Sequence, residues 1–299
     1  GPNGVSANCL KLDCTTADAS IAAGEYLYIT QLIEGQDLQA ISKGVTGAKE
    51  VTLSFYVKAN AAFDFVAEFQ DEDNGRTNGR IFATTTDWVR HEITFQADVD
   101  DGSSPFDDDN AASASINFWI HAGSTYTGGT LASSWENATA ANRAAGIDSF
   151  YSNTDNNFFI TGVQLEVSSQ ATPFENRSFG EELALSQRYF QQWTQEASGF
   201  STNNYASVCD AVMHGNVYVF AQYFHPVQLR ATPALTFNGD FAANMNGTDR
   251  AISSLQVNIA TPHMTSFYGS VGNNSEAGQV GMIRANNDGD ASIFFNSEL

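Results

Sequence analysis

The chain has 299 residues, of which 16% are charged and 12% aromatic, with 22 Phe and 24 Gly. Its 34 acidic residues against 13 basic ones give a net charge of −21, a surface that repels phosphate backbones and argues against nucleic acid as a partner. No apolar run reaches the roughly 18 residues a membrane-crossing helix needs, so membrane insertion is not expected.

Glycine and asparagine for turns, with aromatics for strands, predict an all-β chain long enough for two domains. The opening Gly1-Pro2 looks like the remnant of a cleaved tag, so the natural chain is expected to extend further N-terminally and this to be its C-terminal part. Three cysteines, Cys9, Cys14 and Cys209, make no disulfide framework; reduced thiols and synthesis in a cytoplasm are expected.

Period-two alternation begins at "VTLSFYVK", where Val51, Leu53, Phe55 and Val57 share a face. "FDFVAEF" aligns Phe63, Phe65, Ala67 and Phe69. "WVRHEITFQ" aligns Val89, His91, Ile93 and Phe95, and "ASINFWIH" aligns Ala114, Ile116, Phe118 and Ile120. Charge gathers in loops between strands, in "DEDNG" (71–75) and "DVDDGSSPFDDDN" (98–110). Segment 122–157 lacks the rhythm; it is small, polar and glycine-rich, carries Tyr126 and Trp135, and is expected to hold a short helix around 137–145. Loops this long inside a compact domain tend to be functional. "FITGVQLEV" restores alternation with Phe159, Thr161, Val163, Leu165 and Val167 on one face.

Pro173 ends that strand by removing a donor and forcing Thr172 to be extended. Ser178, three residues before Glu181, predicts a capped helix over about 179–193. Its stripe is Leu185, Tyr189 and Trp193. Beyond it, "YASVCDAVM", "NVYVFAQYF", "ISSLQVNI", "TSFYGSV", "GQVGMIRA" and "ASIFF" supply six strands for a second sandwich. The expected division is a sandwich at 1–175, a linker helix at 176–195 and a C-terminal β tip domain at 196–299.

"YITQLIEGQDLQAI", "KEVTLSFYVKAN", "GTLASSWENATAANRAAGI" and "ITGVQLEVSSQATPFENRSFGEELALSQRYF" resemble modules of bacteriophage tail fibres and related receptor-binding proteins. "FHPVQLRATP" and the closing "GDASIFFNSEL" resemble the end domain of such fibres. The resemblance implies a jelly-roll sandwich of the carbohydrate-binding-module type, a short helix and a β tip, commonly as a homotrimer. It implies a virion protein, joined through its N-terminal part to other tail proteins, that binds host cell-surface glycan or lipopolysaccharide.

No GxSxG, HExxH, GxxxxGK[ST] or GxGxxG occurs, so a non-enzymatic role is expected. A depolymerase needs only two well-placed carboxylates and stays the alternative, beside a purely structural fibre or capsid-decoration role. Sugar rings stack on aromatics while amides and guanidinium take hydroxyls, which singles out Tyr126, Trp135, Asn142 and Arg143 as the carbohydrate site. The competing reading has Trp135 plugging the sandwich edge and Arg143 pairing with an acid; the tip domain is the rival location. No cofactor is required. Sandwiches of the resembled type often hold a structural Ca²⁺, and "DEDNG" offers Asp71 and Asp73 as a fragment of a calcium loop.

Overall fold

The computed structural model describes residues 1–2, 4–18, 20–99, 104–195, 204–272 and 276–299. Part of the acidic segment 98–110, and residues 196–203 where the tip domain is expected to begin, lie outside the described residues. The chain forms two compact units, Gly1–Asn176 and Arg177–Glu298, the C-terminal Leu299 grouping with the first. Both are all-β and antiparallel.

In the first unit the strands are β1 (Leu10–Asp13), β2 (Tyr26–Glu34), β3 (Val51–Ala59), β4 (Asp64–Asp71), β5 (Arg76–Ala83), β6 (Val89–Phe95), β7 (Ala112–Ala122), β8 (Glu136–Asn137) and β9 (Asn157–Glu166). They make a sheet of order β1-β9-β3-β6 and another of order β2-β7-β4-β5-β8. Alternation sends Leu53, Phe55 and Val57 of β3, Phe65, Ala67 and Phe69 of β4, and Ile116, Phe118 and Ile120 of β7 into one apolar core. The His91 ring joins them against Phe55 and Phe82.

Strand β9 departs from its simple alternation. Its buried residues are Phe158 and Ile160, with Leu165 against the same core further on. The register against β3 slips between Ser54 and Tyr56, and Gly162 stands there at φ +59°. One extra residue in β9 moves the inward face from even to odd positions. Phe159 is therefore on the outer face, under the Lys58 ammonium at 4.8 Å.

The second unit begins with a helix, Phe179–Gln187, which carries the capping box: Ser178 Oγ accepts from Glu181 N and the Glu181 carboxylate accepts from Ser178 N at 3.0 Å. The helix stops short of the expected 193 and buries none of its residues. Residues Phe190–Thr194 are instead β10, paired antiparallel with β19 (Ser292–Asn296). The reason lies in contacts made across the unit. Trp193 packs on Phe241 and donates its indole N–H to Ser207 O at 3.0 Å, while Gln191 donates to Gln187 O at 2.9 Å, taking up a carbonyl at the helix end. Leu185, Tyr189 and Trp193 thus do not form one helical stripe.

The remaining strands are β11 (Ser207–His214), β12 (Tyr218–Phe224), β13 (Ala234–Asn238), β14 (Phe241–Met245), β15 (Thr248–Ala251), β16 (Leu255–Ala260), β17 (Met264–Ser270) and β18 (Val280–Ala285). They form a seven-stranded sheet, β15-β14-β18-β11-β12-β17-β16, and, with β10 and β19, a three-stranded one of order β10-β19-β13. Phe267, Ile283, Ile293 and Phe295 are wholly buried among them. The β14–β15 hairpin turns on Asn246-Gly247, both at positive φ, the backbone a two-residue primed turn requires.

Candidate functional site

The side of β4 and β7 opposite the core carries the distinctive chemistry of the first unit. Register places Val66 beside Trp119, Glu68 beside Asn117 and Gln70 beside Ser115. The long segment after β7 folds back over this face: Gly79 N donates to Ala132 O at 2.6 Å, and Ala144 N donates to Tyr126 O at 3.0 Å. Leu131, Ala144 and Ile147 then pack with Val66 and Trp119. The segment holds a helical turn at Ser124–Thr127, the short β8 and, within the 137–145 stretch where a short helix is expected, a single 3₁₀ turn at Ala140–Asn142.

Glu68 is fully buried beneath it. Its Oε1 accepts from Thr77 Oγ1 and from Arg143 Nε at 2.9 Å. Its Oε2 accepts from Asn117 Nδ2 at 3.1 Å, Trp119 Nε1 at 2.9 Å and Arg143 Nη2 at 2.7 Å. Five donors saturate a carboxylate. Arg143 also donates to Gln70 Oε1 and lies 4.9 Å over the Trp119 ring. Burial alone would lower the guanidinium pKa; the Glu68 hydrogen bonds and charge, with Glu72 and Tyr28 beyond, more than offset it and raise it. The pair fixes this face and leaves Glu68 no lone pair for acid–base chemistry.

Four aromatics rest on that base. Trp119 is buried; Tyr28 lies 4.7 Å from it and Tyr126 5.3 Å, ring centre to ring centre. Tyr26 stacks on Tyr28 at 5.4 Å and 10° and meets Tyr126 edge-on at 5.1 Å, yet remains 51% exposed. Burial and the neighbouring Tyr26 push the Tyr28 phenol above its ordinary pKa, against the lowering effect of Arg143. Beyond Tyr26 opens a pocket of about 550 Å³ lined by Thr16, Asp18, Glu25, His121 and Tyr151 among others.

Of the residues singled out in the sequence, the structure brings Tyr126 and Arg143 together on this face. Trp135 lies elsewhere: its ring packs edge-on against Phe69 at 5.2 Å, beside the core, and its N–H donates to Gln96 O at 2.7 Å. Asn142 braces the loop, donating to Glu136 Oε1 at 2.9 Å and accepting from Thr130 N at 3.2 Å. Asp71 is fully buried against Lys43 Nζ at 2.5 Å and accepts from Asn74 N at 3.0 Å; a lysine ammonium holds the place a calcium ion would need. Asp73 accepts from Asp107 N at 3.0 Å. Lys43 also approaches Asp98 at 3.6 Å, and Arg76 clasps Asp98 at 2.9 and 3.1 Å, so two cations and two anions alternate in a buried ionic chain.

Sequence reasoning passes over Glu68, Trp119, Tyr26 and Tyr28. The signal is present in the off-core positions of "FDFVAEF" and "ASINFWIH", where an acid, an amide and a tryptophan stand on the face that water should occupy.

In the second unit an open groove of about 960 Å³ runs over β11, β12 and β18, with Asp210, Gln222 and Asn258 beside Val212, Phe224 and Val280. Burial, then the Asp210 charge, pushes the Cys209 thiol up to about 12. Cys14 is buried and donates to Thr16 O at 3.3 Å, Cys9 is half-buried, and all three thiols are free.

No family profile matches the chain, and no curated protein matches it. Among solved structures, a chain described under "CBM4 structure and function" is similar at 13% identity and a TM-score of 0.29, covering 56% of this chain and 89% of its own. The PBSX exported protein XepA is similar at 9% identity and a TM-score of 0.19, covering 95% of this chain and 84% of its own. Likenesses this faint carry no argument about function. The fold itself is that of an all-β sandwich protein. Its first unit carries a buried ion pair and an aromatic cluster on an outer sheet face.

Proposed function

We propose that the protein is a non-enzymatic phage tail-fibre component that binds host cell-surface glycan through the Tyr26 face of its first unit. The observation that carries this reading is the exposed Tyr26 ring, backed by Tyr28 and Tyr126 and fixed over Trp119 and the Glu68–Arg143 pair. A flat aromatic held by other aromatics offers a sugar's C–H face a platform with little ordering cost on binding. The adjoining polar pocket supplies hydrogen-bonding groups for hydroxyls. The sequence resemblance to tail-fibre modules supplies the biological setting and the homotrimer. A shallow platform binds weakly, and three linked copies would raise the effective affinity through local concentration.

The test is Tyr26→Ala in the full chain, measured by glycan array and host-cell binding. Binding should fall at least tenfold while the thermal transition moves little, since the ring is half exposed. Retained binding together with its loss on Phe224→Ser would move the site to the second unit. Release of sugar from host polysaccharide would instead favour a depolymerase.

A further inference from the structure

Three side chains outside the aromatic cluster converge at the end of the same sheet face. Asp18, Glu25 and His121 each offer one ligand atom, and these atoms lie within 4.8 Å of one another. They come from three parts of the chain: the loop after β1, the residue before β2, and the end of β7.

His121 is the anchor. It is 2% exposed, its ring stands edge-on to Tyr151 at 4.9 Å, and Nδ1 is held by Ser149 Oγ at 2.8 Å. That leaves Nε2, which has no protein partner among the described residues, on a side chain that lines the 550 Å³ pocket. A histidine with one ring nitrogen tethered and the other left without a protein partner is the arrangement metal-ligating histidines adopt. In the tautomer that donates Nδ1–H to Ser149 Oγ, Nε2 is the nitrogen with the free lone pair.

The carboxylates are held by backbone. Ser20 N donates to Asp18 Oδ1 at 2.8 Å and Ala22 N to Glu25 Oε2 at 2.7 Å. The loop is tied down on both sides, since Asp18 N donates to Tyr151 O at 2.9 Å and Gly123 N to Glu25 O at 2.8 Å. Gly123 admits the loop because a Cβ there would stand 2.0 Å from Ala22 O.

We propose that Asp18, Glu25 and His121 bind one divalent transition ion of the zinc class, with water in the positions facing the pocket. One imidazole and two carboxylates suit such an ion, and three protein ligands with an open position are a familiar zinc arrangement. Calcium, which takes oxygen ligands in larger number, is disfavoured. The site shares its pocket with the glycan reading, but metal titration without sugar tests it separately.

Calorimetric titration of the full chain, free of any histidine tag, tests this. One Zn²⁺ should bind per chain, with Ca²⁺ at least tenfold weaker. The paired change Asp18→Asn with Glu25→Gln touches half-buried and exposed positions and should weaken Zn²⁺ at least tenfold without moving the metal-free thermal transition. Ser149→Ala, which frees the His121 ring, should weaken it by about 10–100-fold. In the unaltered chain, Co²⁺ should shift the His121 ring protons selectively among the five histidines. Absence of Zn²⁺ binding, calcium binding of equal strength, or cobalt that leaves His121 unshifted would overturn the proposal.

Discussion

The two units share an all-β construction but hide different things. Among the described residues every buried charged side chain lies in the first unit: Glu34, Lys43, Glu68, Asp71, Arg76 and Asp98. The second unit buries Gln191, Thr265, Ser266, Ser292 and Ser297, all uncharged, around a core of Phe, Ile, Val and Met. The first devotes its outer sheet face to an ion pair roofed by a loop. The second leaves Val212, Tyr218, Phe224 and Val280 exposed on its seven-stranded sheet. A buried charge is costly unless fully partnered, so the first unit adds polar geometry to its apolar core where the second relies on apolar packing.

That contrast breaks most sharply at Arg143. Arg143→Met leaves Glu68 buried without its cation and should destabilise the first unit by about 3–5 kcal/mol. Protection of second-unit amides in native-state hydrogen exchange should stay unchanged. Equal loss in both units would mean they unfold as one.

Trp135→Ala probes the apolar side of the same unit. Its ring backs Phe69 and its N–H satisfies Gln96 O. Removal should cost about 2 kcal/mol, below the ~3–5 kcal/mol of a fully buried aromatic, in chemical denaturation. Glycan binding should persist. Its loss at unchanged stability would return Trp135 to the binding surface.

The smallest effect belongs to the second unit and to acid. Burial, with a further contribution from His263, lowers His225 to about 4. Its ring lies edge-on to Phe295 at 4.9 Å. The unfolded chain, with an ordinary value of about 6.5, therefore binds more protons than the folded one between these values. Stability is full above about pH 6.5 and declines as pH falls toward 4. The ring is only half buried, so the slope is modest. His225→Gln should flatten that limb in a pH series of thermal melts, leaving the first unit's transition where it was.

Strand existence is legible wherever strict alternation sets one face against the core, as in Leu53, Phe55 and Val57. Gly162 hides the face switch in β9, because a bulge depends on pairing that sequence does not display. Strands β13 to β15 escape the sequence reading although Asn238-Gly239 and Asn246-Gly247 announce their turns. The 179–193 helix is over-extended there because Tyr189 and Trp193 fit helical spacing and strand alternation alike, and only pairing with β19 decides between them. At the candidate site, Tyr126 and Arg143 are readable as loop residues. Their partners Glu68 and Trp119 show in the sequence only as an acid and a tryptophan at off-core strand positions; that they belong to one site is visible only once the donors are assembled around the acid.

The three free thiols differ in a way useful at the bench. Cys209 holds its proton to about pH 12, and Cys14 is buried with its proton directed at a carbonyl. Thiolate reagents need both deprotonation and access. Maleimide chemistry near neutral pH should therefore select Cys9, giving a single fluorophore just ahead of β1 without any engineered cysteine.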